Sequence, residues 1–145
     1  MAAMTLDTHQ SVYREHLIEH PLIGELSKHS WLHHGADLEI SSPELDRAGH
    51  DIIVDANSVT RHVQLKSSFR GARTARQMVH VDLAEKPSGC VIWVRFDPET
   101  LEMGPFLFFG SKPGEPLPPI EDFRVARHTK GNALGIKKER AKLLE

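Results

Sequence analysis

Asp51, Gln64 and Lys66 are the residues whose types and spacing point to shared chemistry. Asp51 offers a carboxylate, Gln64 an amide oxygen and Lys66 an ammonium. A hard divalent cation such as Mg²⁺ takes oxygen ligands and keeps several waters, so one carboxylate and one or two further oxygens suffice. Such an ion lowers the pKa of bound water and offsets charge on a scissile phosphate. A lysine beside it orients the attacking water or stabilises charge that develops in the transition state. A further carboxylate from a nearby helix would complete the site.

A hairpin is needed to hold these groups. Asp51–Ala56 and Val59–Ser67 read as strands joined by Asn57-Ser58. A two-residue turn there sets Val54 opposite Arg61 and Asp51 opposite Gln64. Alternation then puts Ile52, Val54, Val63 and Leu65 on one apolar face. Asp51, Asp55, Thr60, His62, Gln64 and Lys66 share the other, with Ile53 the exception.

Asp46-Arg47-Ala48-Gly49-His50-Asp51, an apolar strand, and then Val63-Gln64-Leu65-Lys66-Ser67-Ser68 together resemble the PD-(D/E)xK nuclease superfamily. The similarity is to its small restriction-endonuclease-like and Holliday-junction-resolvase-like domains, and spans Leu22 to Phe69. It implies an α/β fold with a restriction-endonuclease-like three-layer core, a mixed central sheet flanked by helices. It also implies a single nuclease-like domain over 1–145, with a core from about 6 to 110 and a basic extension from about 111 to 145. The implied activity is Mg²⁺- (or Mn²⁺-) dependent phosphodiester hydrolysis of nucleic acid, as a DNA endonuclease. Asp51 and Gln64 would be metal ligands and Lys66 the catalytic ammonium. Glu25, ten residues before Gly35, would be a helix-borne ligand or water-binding base, with Glu15 and Glu19 as fallbacks. Gln64 stands where the pattern usually has an acid. A neutral ligand weakens cation binding, so the alternative is a catalytically inactive nucleic-acid-binding or assembly module on the same fold. A ligand-binding α/β domain without a nucleic-acid role is a third class.

The 145 residues carry 18 Lys+Arg against 20 Asp+Glu, a net charge of −2, so no global pull toward a polyanion exists. The local pattern differs. Asp7–Asp55 holds ten acids and three bases, Arg61–Arg76 five bases and no acid, and Arg124–Lys142 seven bases against Glu139. Local fields are what a polyanion feels. Arg61, Arg70, Arg73, Arg76 and Lys130 are therefore the candidates for gripping backbone phosphates. The bland reading of each is a solvated face. One Cys excludes a disulfide framework and, with no basic-then-apolar stretch in Met1–Gln10, leads to the expectation of a cytoplasmic protein without a signal peptide. No apolar run approaches the roughly 20 residues of a membrane span. A homodimer is admitted by this reading.

Several elements must position the hairpin. Leu6–His20 reads as a helix, and Pro21 either kinks it or opens a second one that ends near Gly35. Ala36–Ser41 suits a short strand. Ser68–Thr74 is a basic loop, Ala75–Glu85 a helix, and Cys90–Phe96 a buried strand. Glu102–Phe109 is a strand whose Gly104-Pro105 suggests an edge. The four prolines of Lys112–Pro119 mark a surface loop. Phe123–His128 suits a last short strand, with a weak helical signal from Lys137. Trp31 and Trp93 read as core. Asp46 reads as a turn cap before it reads as a ligand. His16/His20 and His29/His33 have zinc-type spacing without a third ligand, and read as surface histidines. Ser67 and Ser68 lack a base at useful spacing, which excludes a serine hydrolase.

Overall fold

A computed structural model describes residues 8–43, 51–73, 76–119, 125–127 and 139–144. Its one long helix, α1, runs from Thr8 to His34. Ile18, Leu22, Leu26 and Ser30 recur every four residues along α1 and form its inward stripe. Pro21 lies inside this single helix rather than dividing it. An interior proline costs about 3 kcal/mol. Burial of Ile18 and Leu22 on either side offsets that cost. Trp31 falls one position beyond the stripe and is 64 % exposed, contrary to the core expectation. Gly35, at φ +58°, ends the helix, with its N–H and that of Ala36 donating to the carbonyls of Trp31 and Ser30.

Five strands form the main sheet in the order β1-β2-β3-β5-β6: β1 (Glu39–Ser41), β2 (Ile52–Ala56), β3 (Val59–Phe69), β5 (Gly89–Phe96) and β6 (Met103–Gly110). The β2–β3 hairpin has the register the spacing predicts, with Val54 opposite Arg61 and Ala56 opposite Val59. Asn57 and Ser58 turn the chain at φ 49° and 65°, the pair of positive values a type I′ turn requires. β3 and β5 are parallel, whereas the other ladders of this sheet are antiparallel. The fold is thus α/β with a mixed sheet and the hairpin at its centre. α1 covers one face, packing on Val63 and Leu65 of β3 and on Cys90, Val94 and Phe96 of β5 through two joined apolar clusters.

The crossover from β3 to β5 departs from the expected helix over Ala75–Glu85. It is β4 (Arg76–His80) followed by a short 3₁₀ helix, Val81–Glu85. β4 pairs with β8 (Glu139–Leu144), which also pairs with β7 (Val125–Arg127), giving a second, three-stranded sheet. The weak helical signal at the tail is likewise replaced by strand. In both segments a partner some 60 residues away in sequence decides the conformation, and local propensity does not register it. Val79, Leu83, Val91 and Leu117 form the core on this side. Gly89 starts β5 against the 3₁₀ helix, where a Cβ would lie 2.7 Å from the Leu83 carbonyl oxygen. Among the described residues, no helix is long and apolar enough to cross a membrane.

Candidate functional site

The site grows out of the start of β2. The ladder stops at Ile52 opposite Val63. Beyond it Asp51 turns its backbone N–H to the Val63 carbonyl at 2.7 Å, so it does not pair with Gln64 as a ladder partner. Its side chain takes over instead: Oδ2 accepts from the Leu65 N–H at 2.5 Å. The carboxylate therefore lies along the flank of β3, against the backbone between Gln64 and Lys66. Asp51 thus meets β3 through its side chain rather than as a ladder partner.

Gln64 and Lys66 project from the face of β3 opposite α1, as alternation with the buried Val63 and Leu65 requires. Gln64 is only 5 % exposed, and its Oε1 accepts from the His80 N–H at 3.2 Å. That bond ties β3 to the start of the crossover 3₁₀ helix. A carbonyl oxygen has two lone pairs, so this bond uses half of its accepting capacity. Lys66 is half-buried and opposite Trp93 in the parallel register.

Glu25 is not brought to this group. It lines an apolar groove of about 310 Å³ with Leu22, Leu26, His29, Ile92, Phe106, Leu107 and Phe108, on the helix side and at the far edge of the sheet. β3 and β5 stand between it and Asp51. The fallback Glu15 is exposed on α1, and Glu19 there has its Oε2 3.9 Å from His16 Nδ1.

The basic candidates scatter. Arg61 lies on the helix side of β3: its Nη2 donates to the Ser111 carbonyl at 2.5 Å, and the guanidinium sits 5.4 Å from the Phe108 ring centre. Its Nη1 is buried without a hydrogen-bond partner among the described residues. Burial pushes the neighbouring Cys90 thiol above its ordinary pKa, while the charge and hydrogen bond of Arg61 pull it the other way. Arg70 is clamped to the start of β6, by Nε to the Gly104 carbonyl at 2.6 Å and by Nη2 to Glu102 at 3.3 Å. Arg73 is exposed in the following loop. Arg76 enters β4 by its backbone, its side chain lying outside the described residues, as does all of Lys130. Asp46 lies outside them too.

Three residues share the Lys66 face: Trp93, which the sequence assigned to the core and which lies there, Ser68, read only as no nucleophile, and Arg95, which sequence reasoning did not single out. Trp93, fully buried, donates from Nε1 to Ser68 Oγ at 2.8 Å. Arg95 sits over the Trp93 ring at 4.7 Å. The available signal was a lone charge within the apolar run Cys90–Phe96. The histidine pair His29/His33 stacks at 4.4 Å on exposed helix surface. Among the described residues, no three His, Cys, Asp or Glu side chains converge to hold a metal ion. A cation here would rest on the Asp51 carboxylate, the Gln64 amide oxygen and water, a sparse oxygen set that suits Mg²⁺ rather than zinc.

No protein-family model, curated protein or solved structure matches the chain.

Proposed function

We propose that this chain is a divalent-metal-dependent nuclease with a site of PD-(D/E)xK type, hydrolysing phosphodiester bonds in DNA, on a restriction-endonuclease-like core. The observation that supports this reading is the bond from Leu65 N–H to Asp51 Oδ2, which holds a carboxylate against the strand that carries Gln64 and Lys66 on either side of Leu65. Asp51 and Gln64 would hold Mg²⁺ or Mn²⁺, which supplies Lewis-acid charge at the phosphate and a more acidic water. Lys66 contributes a point charge that gains strength as negative charge builds on the phosphate oxygens. The Leu65 amide holds the carboxylate in place. Glu25 takes no part in this proposal.

A second reading, a silent nucleic-acid-binding or assembly module, is favoured by Gln64. It is neutral, buried and already bonded to the His80 amide, which gives it a structural task of its own.

The test is cleavage of DNA and RNA in Mg²⁺ or Mn²⁺ by wild type, Asp51→Ala and Lys66→Ala, with a melting temperature for each. The expected result is cleavage by wild type and a loss of at least about 100-fold in Lys66→Ala, the usual scale for one transition-state contact. Equal cleavage by wild type and Lys66→Ala would overturn the site. No cleavage by wild type with either ion would favour the silent module.

A further inference from the structure

β3 and β5 run parallel, so their carboxyl ends emerge on one edge of the sheet, and the basic loop from Arg70 leaves there, its N–H bonded to the Phe96 carbonyl at 2.9 Å. In α/β sheets that edge is where ligands gather. Lys66 faces Trp93 in the register and Ser68 faces Arg95. Lys66 and Arg95 are thus diagonal neighbours on one face, roughly 8 Å apart by sheet spacing. Asp51 flanks β3 on its β2 side, and Arg95 lies on its β5 side, with Lys66 between them. Arg95 is also held in place. Its guanidinium carbon lies 4.7 Å from the ring centre of a tryptophan that is itself fixed by Ser68, so less rotamer freedom remains to be lost on contact with a ligand.

We infer that Arg95 is a phosphate-binding residue of the same site, holding a backbone phosphate adjacent to the one at Lys66. This rests on the nuclease reading for the identity of the polyanion. A planar guanidinium carries its donors in a fork that matches two phosphate oxygens, which a lysine's point charge does not. The inference assigns Arg95 a binding role: it positions the nucleic acid strand and does not touch the reacting atoms.

The experiment measures binding of a fluorescein-labelled DNA oligonucleotide by anisotropy in EDTA, from about 50 to 200 mM salt. Wild type, Arg95→Gln and Arg95→Lys are compared, with melting temperature and Mg²⁺-dependent cleavage measured on each. The expected result is a salt slope lower by about one in Arg95→Gln and retained in Arg95→Lys, at unchanged melting temperature. A wild-type slope in Arg95→Gln, with cleavage intact, would overturn the inference and leave the nuclease reading standing. An Arg95-dependent slope in a protein that cleaves nothing would support the inference and sink the nuclease reading. A weakened slope accompanied by a large fall in melting temperature in both variants would assign Arg95 to covering Trp93 instead. Absence of any DNA binding by wild type would overturn both.

Discussion

Gln64 carries two demands that can be separated by substitution. Gln64→Leu removes the acceptor for the His80 amide and leaves a buried donor unsatisfied, at a cost of about 1–3 kcal/mol. Gln64→Glu keeps an acceptor at the same place and adds the charge that a cation prefers. The expected outcome is a clear loss of melting temperature in the first and tighter Mn²⁺ binding, read by calorimetry, in the second. If Gln64→Leu melts with wild type, the bond to His80 has no structural weight. Cys90 supplies a pH test. Its thiol pKa is raised in the folded state, chiefly by burial. The neutral thiol therefore favours folding fully below the unfolded value of about 8.5. That contribution fades as pH rises through the higher folded value. Iodoacetamide at mildly alkaline pH is expected to spare Cys90 in the native protein and alkylate it in urea. Rapid labelling without denaturant would contradict that burial. At this scale the sequence was legible for Lys66, whose register follows from counting outward from a turn, but the same count set Asp51 opposite Gln64, beyond where the ladder stops. It was not legible for Arg61, which shares the apolar face with Val54 and folds onto Phe108.

The hairpin is the element that local rules determined best. Two adjacent turn residues, alternation on both strands and a buried inner face all require the same register. Ser58 is its weak point, because a side chain at φ 65° is disfavoured by about 1–2 kcal/mol. Ser58→Gly, which makes the favoured Asn-Gly turn, is expected to raise the melting temperature by a few degrees after the loss of some unfolded-state restraint. A lowered melting temperature would show that Ser58 bonds something the turn needs. β5 was equally readable, being apolar and short. β4 was not: Ala75–Glu85 begins and ends on good helix formers, yet its first half is claimed by β8 and only the second half coils, as a 3₁₀ turn capped by His80 Nδ1 accepting from the Asp82 N–H at 3.2 Å. β6 is an edge strand, as its Gly-Pro pair suggested, and leaves Phe106 and Phe108 at 51 % and 58 % exposure.

Across the whole molecule, charge is divided less cleanly than the sequence suggested. The acid-free stretch from Arg61 to Arg76 wraps over both faces, so its bases do not form one surface: Arg61 is on the helix side and Arg70 is bound to Glu102. The gathered arrangement is smaller and lies around Lys66 and Arg95. The parallel pairing of β3 with β5 has a further consequence, for the order in which the chain assembles. Ala56 meets Val59 across three residues, whereas His62 meets Gly89 across 27 (89 − 62). Closing the longer loop costs about 2 kcal/mol more chain entropy. The hairpin should therefore be structured in the folding transition state while β5 is still loose. Ile52→Val and Val63→Ala are expected to slow refolding, with φ values of about 0.5 or more. Val91→Ala and Val94→Ala should mainly speed unfolding, with φ values near 0–0.3. The reverse ranking would mean that the crossover nucleates first. On the expected ranking, the carboxylate and the ammonium are set in place during nucleation, and the guanidinium of Arg95 arrives only when the last central strand docks.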